Sequence, residues 1–326
     1  MSATRTAVFV AVVLSGIGPL TPRSALHAQR STSPAVQRWT PPRTPWGDPD
    51  LQGVYANDNE YATPLERPRE FDGKTLADVT ADEMARVRAS ALQQMVTALP
   101  GGRVRGPDEW WIQNLDLSKR SQPWLIIDPP DGHIPPLTAE ARKRPSFARG
   151  SFVGGPFNSP ADFSLLDRCI TRSVPGSMIP VMYSNVYDIV QAPGVVAIRY
   201  ELVHEARVIL LDRRRAAGGA IHQHMGDARG HWEGDSLVVE TTNFTAAAAY
   251  RGANPASLRV IEHFTAVGPE TIAWTATLDD PTTWTRSWTI GMPLRRSPTP
   301  LLPFDCHEGN YGLRNILSAA RAAEKQ

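Results

Sequence analysis

The sequence predicts a mainly β (α+β) protein, an antiparallel meander that is barrel-like or strongly curved, with helices added on its N- and C-terminal sides. Three observations carry this. From about residue 185 the chain becomes a series of short segments in which apolar and polar residues alternate, as in half-buried strands. Turn residues fall between these segments at short intervals, so neighbouring strands join as hairpins, and a run of hairpins closes most simply as a barrel. Helical periodicity is confined to residues near 80–100 and to Gly309–Glu324.

The elements follow in order. Residues 1–28 read as a signal peptide. Arg5 gives a basic start, Ala7–Gly18 is an apolar run too short to span a bilayer, and cleavage after Ala28 places Leu26 and Ala28 at the −3 and −1 positions. Residues 29–180 read as a Pro-rich arm, a helix and a loop-rich region packed on the sheet, with one short strand near Leu51–Tyr55. Thr80 is a good N-cap, and Glu83 completes a capping box. Val79 and Met84 are spaced as a hydrophobic staple, Val87, Ala91 and Met95 continue the apolar stripe, and Gly101–Gly102 stops it. Thr138 is placed to cap a short helix that ends near Pro145.

Residues 181–326 read as the meander with its C-terminal helix, and residues 29–326 as one structural unit. "NVYDIVQA" and "VVAIRYE" flank a turn at Pro193–Gly194, and "ARVILLD" is the next strand. "GHWEGDSLVVETT" is a hairpin turning at Glu233–Gly234–Asp235. "LRVIEHFT" and "TIAWTATL" flank Val267–Glu270, and "DDP" turns the chain into "WTRSWTIGM".

Composition narrows the function classes. With 34 Lys and Arg against 33 Asp and Glu the net charge is +1, and no basic block suggests a nucleic-acid partner. The absence of a second long apolar run implies no membrane span in the mature chain. There is no G-x-S-x-G, P-loop or dinucleotide fingerprint, so serine hydrolases, kinases and Rossmann enzymes are disfavoured and no cofactor is implied. In an oxidising compartment the two cysteines, Cys169 and Cys306, favour one disulfide, the alternative being two separate thiols.

Strand alternation also indicates which polar residues point inward. Leu258, Val260, Glu262 and Phe264 share one face, so Glu262 is expected among apolar side chains. Trp284, Arg286, Trp288, Ile290 and Met292 share another, which would place Arg286 between two tryptophans and opposite Glu262 in a buried ion pair. Such a pair is either a plug of the barrel or the charged floor of a ligand cavity.

Three further clusters carry candidate chemistry. "YELVHEAR" holds Glu201, His204, Glu205 and Arg207; His204 is a natural acid–base and a neighbouring carboxylate can orient it. "IHQHMGDARGHWEGD" holds His222 and His224, a weak metal-ligand spacing, beside Asp227 and Arg229. "CHEGNYG" brings His307 and Glu308 next to Cys306 as candidates for a fixed site, or else for a capped helix start.

The segments "WTPPRTPWGDPDLQGVY", "IDPPDGHIPPLT", "GDARGHWEGDSLVVETTNF", "LRVIEHFT", "DDPTTWTRSW" and "CHEGNYGLRNIL" resemble, over nearly the whole mature chain, a widespread uncharacterised family of exported bacterial proteins. Its members read "GDSRGRWEGDTLVVDTTNF" and "ERFT". Asp227, Arg229, Trp232, Glu233, Gly234, Asp235 and Asn243 fall on that pattern, with Glu240 and His263 as departures. The resemblance implies export and supplies no activity. His222 and His224 lie outside the pattern, which weakens the metal reading.

The leading expectation is an exported, cofactor-independent enzyme of hydrolase, lyase or isomerase type acting on a small organic molecule. His204 or Glu262 would be its acid–base, with Glu201 and Asp227 as further catalytic candidates. Arg207, Arg229 or Arg286 would anchor an oxygen, with Trp284, Trp288, His307 and Glu308 completing the substrate site. The alternatives are a lipocalin-like carrier holding an apolar molecule among Trp274, Trp284 and Trp288, and a structural envelope-associated protein. A carrier requires a mostly apolar cavity, whereas an enzyme requires His, carboxylate and Arg around an open one.

Overall fold

Ten strands hydrogen-bond into one sheet, and nine of them close on themselves into a mixed barrel. This is a computed structural model, and it describes residues 39–97, 116–144, 155–211 and 220–325. The strands are β1 (Gly53–Ala56), β2 (Ile126–Asp128), β3 (Val186–Ala192), β4 (Val195–Tyr200), β5 (Ala206–Leu210), β6 (Asp227–Glu233), β7 (Ser236–Thr242), β8 (Arg259–Gly268), β9 (Thr271–Asp279) and β10 (Trp288–Arg296). Consecutive strands from β3 to β10 are neighbours, and β1 completes the ring by pairing with both β3 and β10. β2 pairs with the start of β10 through Thr289 and Ile290, while β1 takes its end through Arg295 and Arg296. Closure leaves no open edge in the nine-strand ring.

The expected hairpins form where the turn residues predicted them. Gly194 at φ 79° joins β3 to β4, and Gly234 at φ 62° joins β6 to β7. Both sit in the left-handed region that side chains with a Cβ rarely adopt. The meander is not antiparallel throughout: β5 and β6 meet in parallel at Leu210 and Arg229. A long connection between them, not a tight turn, lets the chain re-enter the sheet in the same direction.

The expected strand "WTRSWTIGM" begins four residues late. Asp280 organises a turn that runs on past "DDP". Its carboxylate accepts hydrogen bonds from Asn254 N–H (2.7 Å), Thr282 N–H (3.0 Å), Thr282 Oγ1 (2.8 Å) and Thr283 Oγ1. Its carbonyl accepts from the N–H groups of Thr283 and Trp284. The strand therefore starts at Trp288, and alternation counted from Trp284 does not apply to Arg286.

The barrel interior is a packed core. Val196, Ile198, Ile209, Val239, Val260, Phe264, Trp274, Ala276, Trp288 and Ile290 belong to one buried cluster. Fully burying the valine, isoleucine and phenylalanine side chains among them stabilises the fold by about 1.5–3 kcal/mol each. Outside it, α1 (Ala81–Thr97) begins with the expected capping box. Thr80 N–H donates to Glu83 Oε2 at 2.9 Å and Glu83 N–H to Thr80 Oγ1 at 3.2 Å. Thr138 Oγ1 accepts from Ala141 N–H at 3.1 Å above a single 3₁₀ turn, Ala141–Lys143. The chain ends in α2 (Tyr311–Ala323), capped by Asn310, whose Oδ1 accepts from Leu313 N–H at 3.3 Å.

Cys169 and Cys306 form the disulfide, with Cα atoms 5.7 Å apart across 137 residues of sequence. Constraining a loop of this size in the unfolded chain contributes about 5 kcal/mol in the chain-entropy model. Among the described residues no helix is long and apolar enough to cross a membrane. The expected signal peptide, the Gly101–Gly102 helix stop and Pro145 lie outside the described residues.

Candidate functional site

The buried ion pair inside the barrel exists, but its cation is not Arg286. Glu262 on β8 faces the core as alternation predicts and is 0 % exposed. Its Oε2 accepts from Arg207 Nη1 at 2.5 Å, and its Oε1 accepts from Trp274 Nε1 at 3.1 Å. Arg286 lies in the Asp280 turn, is exposed, and pairs with Asp128 at 2.9 Å. Trp284 and Trp288 are buried as expected and meet edge to face at 5.5 Å. They and Trp274 belong to the buried core cluster.

Around the pair lies a polar group that only partly appears in the sequence pattern. Burial disfavours the Arg207 cation, but Glu262, Tyr200 and Glu205 together hold its pKa above the ordinary arginine value. Burial pushes the Tyr200 phenol up. Glu205 Oε2 accepts from Thr171 Oγ1 at 2.7 Å and Ser177 Oγ at 3.4 Å, and burial raises its carboxyl above the usual carboxylate range. Thr171 and Ser177 come from the loop-rich region, where no periodicity announces them.

The other candidates separate. Asp227 and Arg229 pair at 3.1 Å on the face of β6 opposite Ala228 and Gly230, which register with Thr241 and Val239 of the core. His222 Nδ1 meets the Phe244 carbonyl at 3.1 Å and His224 Nδ1 meets Thr245 Oγ1 at 2.9 Å. Among the described residues no three His, Cys, Asp or Glu side chains gather in a metal-binding arrangement. His307 and Glu308 are exposed, in the turn that leads into the Asn310 cap of α2.

Glu201 and His204 do converge, on the backbone of residues 302–304. Val203 and His204 both occupy the left-handed region, at φ 64° and 54°. Such non-glycine residues cost about 1–3 kcal/mol each, so the surrounding structure holds them there. The bend brings Glu201 Oε1 to Leu302 N–H at 3.2 Å and His204 Nε2 to Phe304 N–H at 2.6 Å. A backbone N–H only donates, so His204 accepts through Nε2 and carries its proton on Nδ1. Burial raises the Glu201 carboxyl, while the Leu302 and Val186 N–H groups and His204 work against that rise.

This strap forms one wall of a cleft of about 640 Å³. The disulfide and Asn310, whose Nδ2 donates to the Asp167 carbonyl at 2.7 Å, fix the strap to the 163–169 loop. Phe304 stacks on Tyr183 with ring centres 5.8 Å apart. Phe163, Leu166, Met182, Leu202, Leu313 and Ile316 supply much of the apolar lining, and Asp167 and Asp305 add carboxylates. The half-buried side of α2 closes the cleft through Leu313 and Ile316. Size and lining fall within the range of small-molecule sites, about 300–1,000 Å³ and mostly apolar with a few polar groups. Of the candidate site residues named from the sequence, Cys306 lines the cleft, and Glu201 and His204 reach it through their hydrogen bonds to the strap. The apolar lining comes from irregular segments and a helix end, where period-2 reasoning has no purchase. In comparisons with family models, with curated proteins and with solved structures, no match to this chain was found.

Proposed function

We propose that this protein is an exported small-molecule-binding protein whose ligand is apolar or aromatic and lies in the cleft between α2, the 302–306 strap and the 163–183 loops. The cleft itself is the observation that carries this reading: about 640 Å³, rich in aromatic and aliphatic side chains, and fixed by a disulfide and three backbone-directed hydrogen bonds. A preformed wall lowers the ordering cost of binding. Export is supported by the disulfide and by the N-terminal sequence.

The acid–base reading asks for His204 and Glu262 in one accessible place. Glu262 is sealed in the core and saturated by Arg207 and Trp274, and the Nε2 of His204 is occupied by the strap. These observations support binding ahead of catalysis.

The test is titration with N-phenyl-1-naphthylamine, an uncharged apolar fluorophore, on wild type and Leu313→Asp. Saturable fluorescence enhancement with one site, lost in the variant while its melting temperature is kept, is the expected result. Equal enhancement in both proteins, or none in wild type, removes the cleft as the site.

A further inference from the structure

The lining of the cleft is one-sided in charge. Asp167 and Asp305 are its charged residues, and no Lys, Arg or His belongs to it. The basic residues nearest to it in sequence, Arg168, His204, His307 and Arg314, all stay out of the lining. Asp305 lines the cleft while being exposed, which puts it at the mouth, and among the described residues it has no cation within ion-pair reach. Asp167 Oδ2 accepts from Ser164 Oγ at 2.8 Å and from Ser164 N–H at 3.2 Å, neutral donors that do not cancel its charge. Asp167 and Asp305 stand two residues and one residue before the bridged cysteines, so the disulfide draws the two acidic segments to one end of the cleft.

Hydrogen-bonding capacity points the same way. Asn310, the amide of the lining, gives Nδ2 to the Asp167 carbonyl at 2.7 Å and receives Leu313 N–H on Oδ1 at 3.3 Å. The two ionised carboxylates accept and do not donate. The N-terminus of α2 is the opposing feature, since it carries about half a positive charge. Its Tyr311 N–H donates to the Gly309 carbonyl at 2.9 Å, and its Leu313 N–H is taken by Asn310. Half a charge with these donors spent does not offset two carboxylates. Aromatic rings add to the preference. Phe304, the residue before Asp305, stacks on Tyr183 with planes 20° apart, and Phe163 is a third ring in the lining. The negative faces of such rings attract cations.

We propose that the ligand of the cleft is an organic cation of the ammonium class. Its apolar body lies against Phe163, Leu313 and Ile316, and its positive head meets Asp305 and Asp167 at the disulfide end, beside the Tyr183–Phe304 pair. Resting on the binding role proposed above, this site differs from a plain apolar one in its preference for a charged head. An anion of the same size meets the wrong sign there, and a neutral molecule leaves both carboxylates to water.

The experiment titrates the full mature chain at neutral pH with three probes that share one ring system: 1-naphthylmethylammonium, 1-naphthalenemethanol and 1-naphthoate. The Leu313 and Ile316 methyl resonances report occupancy of the cleft. An exposed ion pair strengthens binding by up to about fivefold and a cation–aromatic contact by about two- to fivefold. The cation is therefore expected to bind roughly five- to tenfold tighter than the alcohol, with naphthoate weakest. Raising sodium chloride to about 0.3 M should narrow the gap between cation and alcohol. Asp305→Asn should weaken the cation several-fold and leave the alcohol's affinity unchanged, which also shows that the variant is folded. Equal affinities for cation and alcohol at the cleft methyl groups, a tighter naphthoate, or a cation preference that ignores both salt and Asp305→Asn overturns the charged-head assignment while the cleft remains a binding site. If none of the three probes moves these methyl groups, the binding role itself falls and the assignment falls with it.

Discussion

Replacing Glu262 by Gln tests the interior account at its most sensitive point. The carboxylate uses one oxygen for Arg207 Nη1 and the other for Trp274 Nε1, and all three side chains are buried. An amide of the same shape offers one acceptor. Whichever partner its oxygen serves, its NH₂ faces the other donor, and buried Arg207 loses the carboxylate that it hydrogen-bonds. Breaking a buried pair from one side costs about 3–5 kcal/mol. At about 2–4 °C per kcal/mol for a chain of this class, the melting temperature should fall by roughly 6–20 °C. Urea unfolding of the oxidised mature protein, read by tryptophan fluorescence, gives the free energy directly. The double variant Arg207→Met/Glu262→Leu removes both charges and should recover most of the loss, as a double-mutant cycle will show. A loss below about 1 kcal/mol for Glu262→Gln, or a double variant as unstable as the sum of its parts, would refute the argument that the pair is held by mutual compensation.

Other predictions follow from local geometry. Cys306→Ser should lower stability by about 3–5 kcal/mol and speed hydrogen exchange in residues 301–323, while exchange in β7–β9 under native conditions stays slow. Gly226, at φ 69°, leaves no room for a methyl group: a Cβ would stand 2.6 Å from Thr241 Cγ2 and from the Thr242 carbonyl. Gly226→Ala should therefore cost about 1–3 kcal/mol in chemical denaturation. Thr80→Ala removes one half of the α1 capping box and should cost about 1 kcal/mol. Glu205 supplies a pH test. Its folded pKa is raised by burial, so its stabilising contribution is complete below the unfolded value and is lost as pH rises through the folded one. Melting curves of wild type and Glu205→Gln from pH 4 to 8 should diverge accordingly, wild type losing ground to the variant as pH rises; parallel curves would refute the assignment.

What could be read from the sequence divides along physical lines. Period-2 alternation depends only on a strand having a wet and a dry side, so the hairpins, the inward Glu262 and the barrel-like curvature were legible. The capping box of α1 was legible because its donors and acceptors are close in sequence. Arg286 was misplaced because alternation was carried through a turn whose organiser, Asp280, works by side-chain hydrogen bonds that leave no periodic trace. The partner of Glu262 then had to come from elsewhere, and Arg207 lay in a cluster already noted for a different reason. Closure by β1, the parallel contact of β5 with β6, and the apolar cleft depend on contacts between segments far apart in the chain. Tyr183 meeting Phe304, and Leu166 meeting the C-terminal strap, have no local signature.

Occupancy of the cleft is tested most directly by a methyl-resolved NMR titration of the wild-type protein with N-phenyl-1-naphthylamine. Saturable shifts are expected at Leu166, Val181, Leu202, Leu313 and Ile316, with Ile198, Val239 and Ile290 in the barrel core unmoved. Shifts centred on the core methyl groups, or confined to exposed Val190 and Val208 on the outer surface, would contradict it.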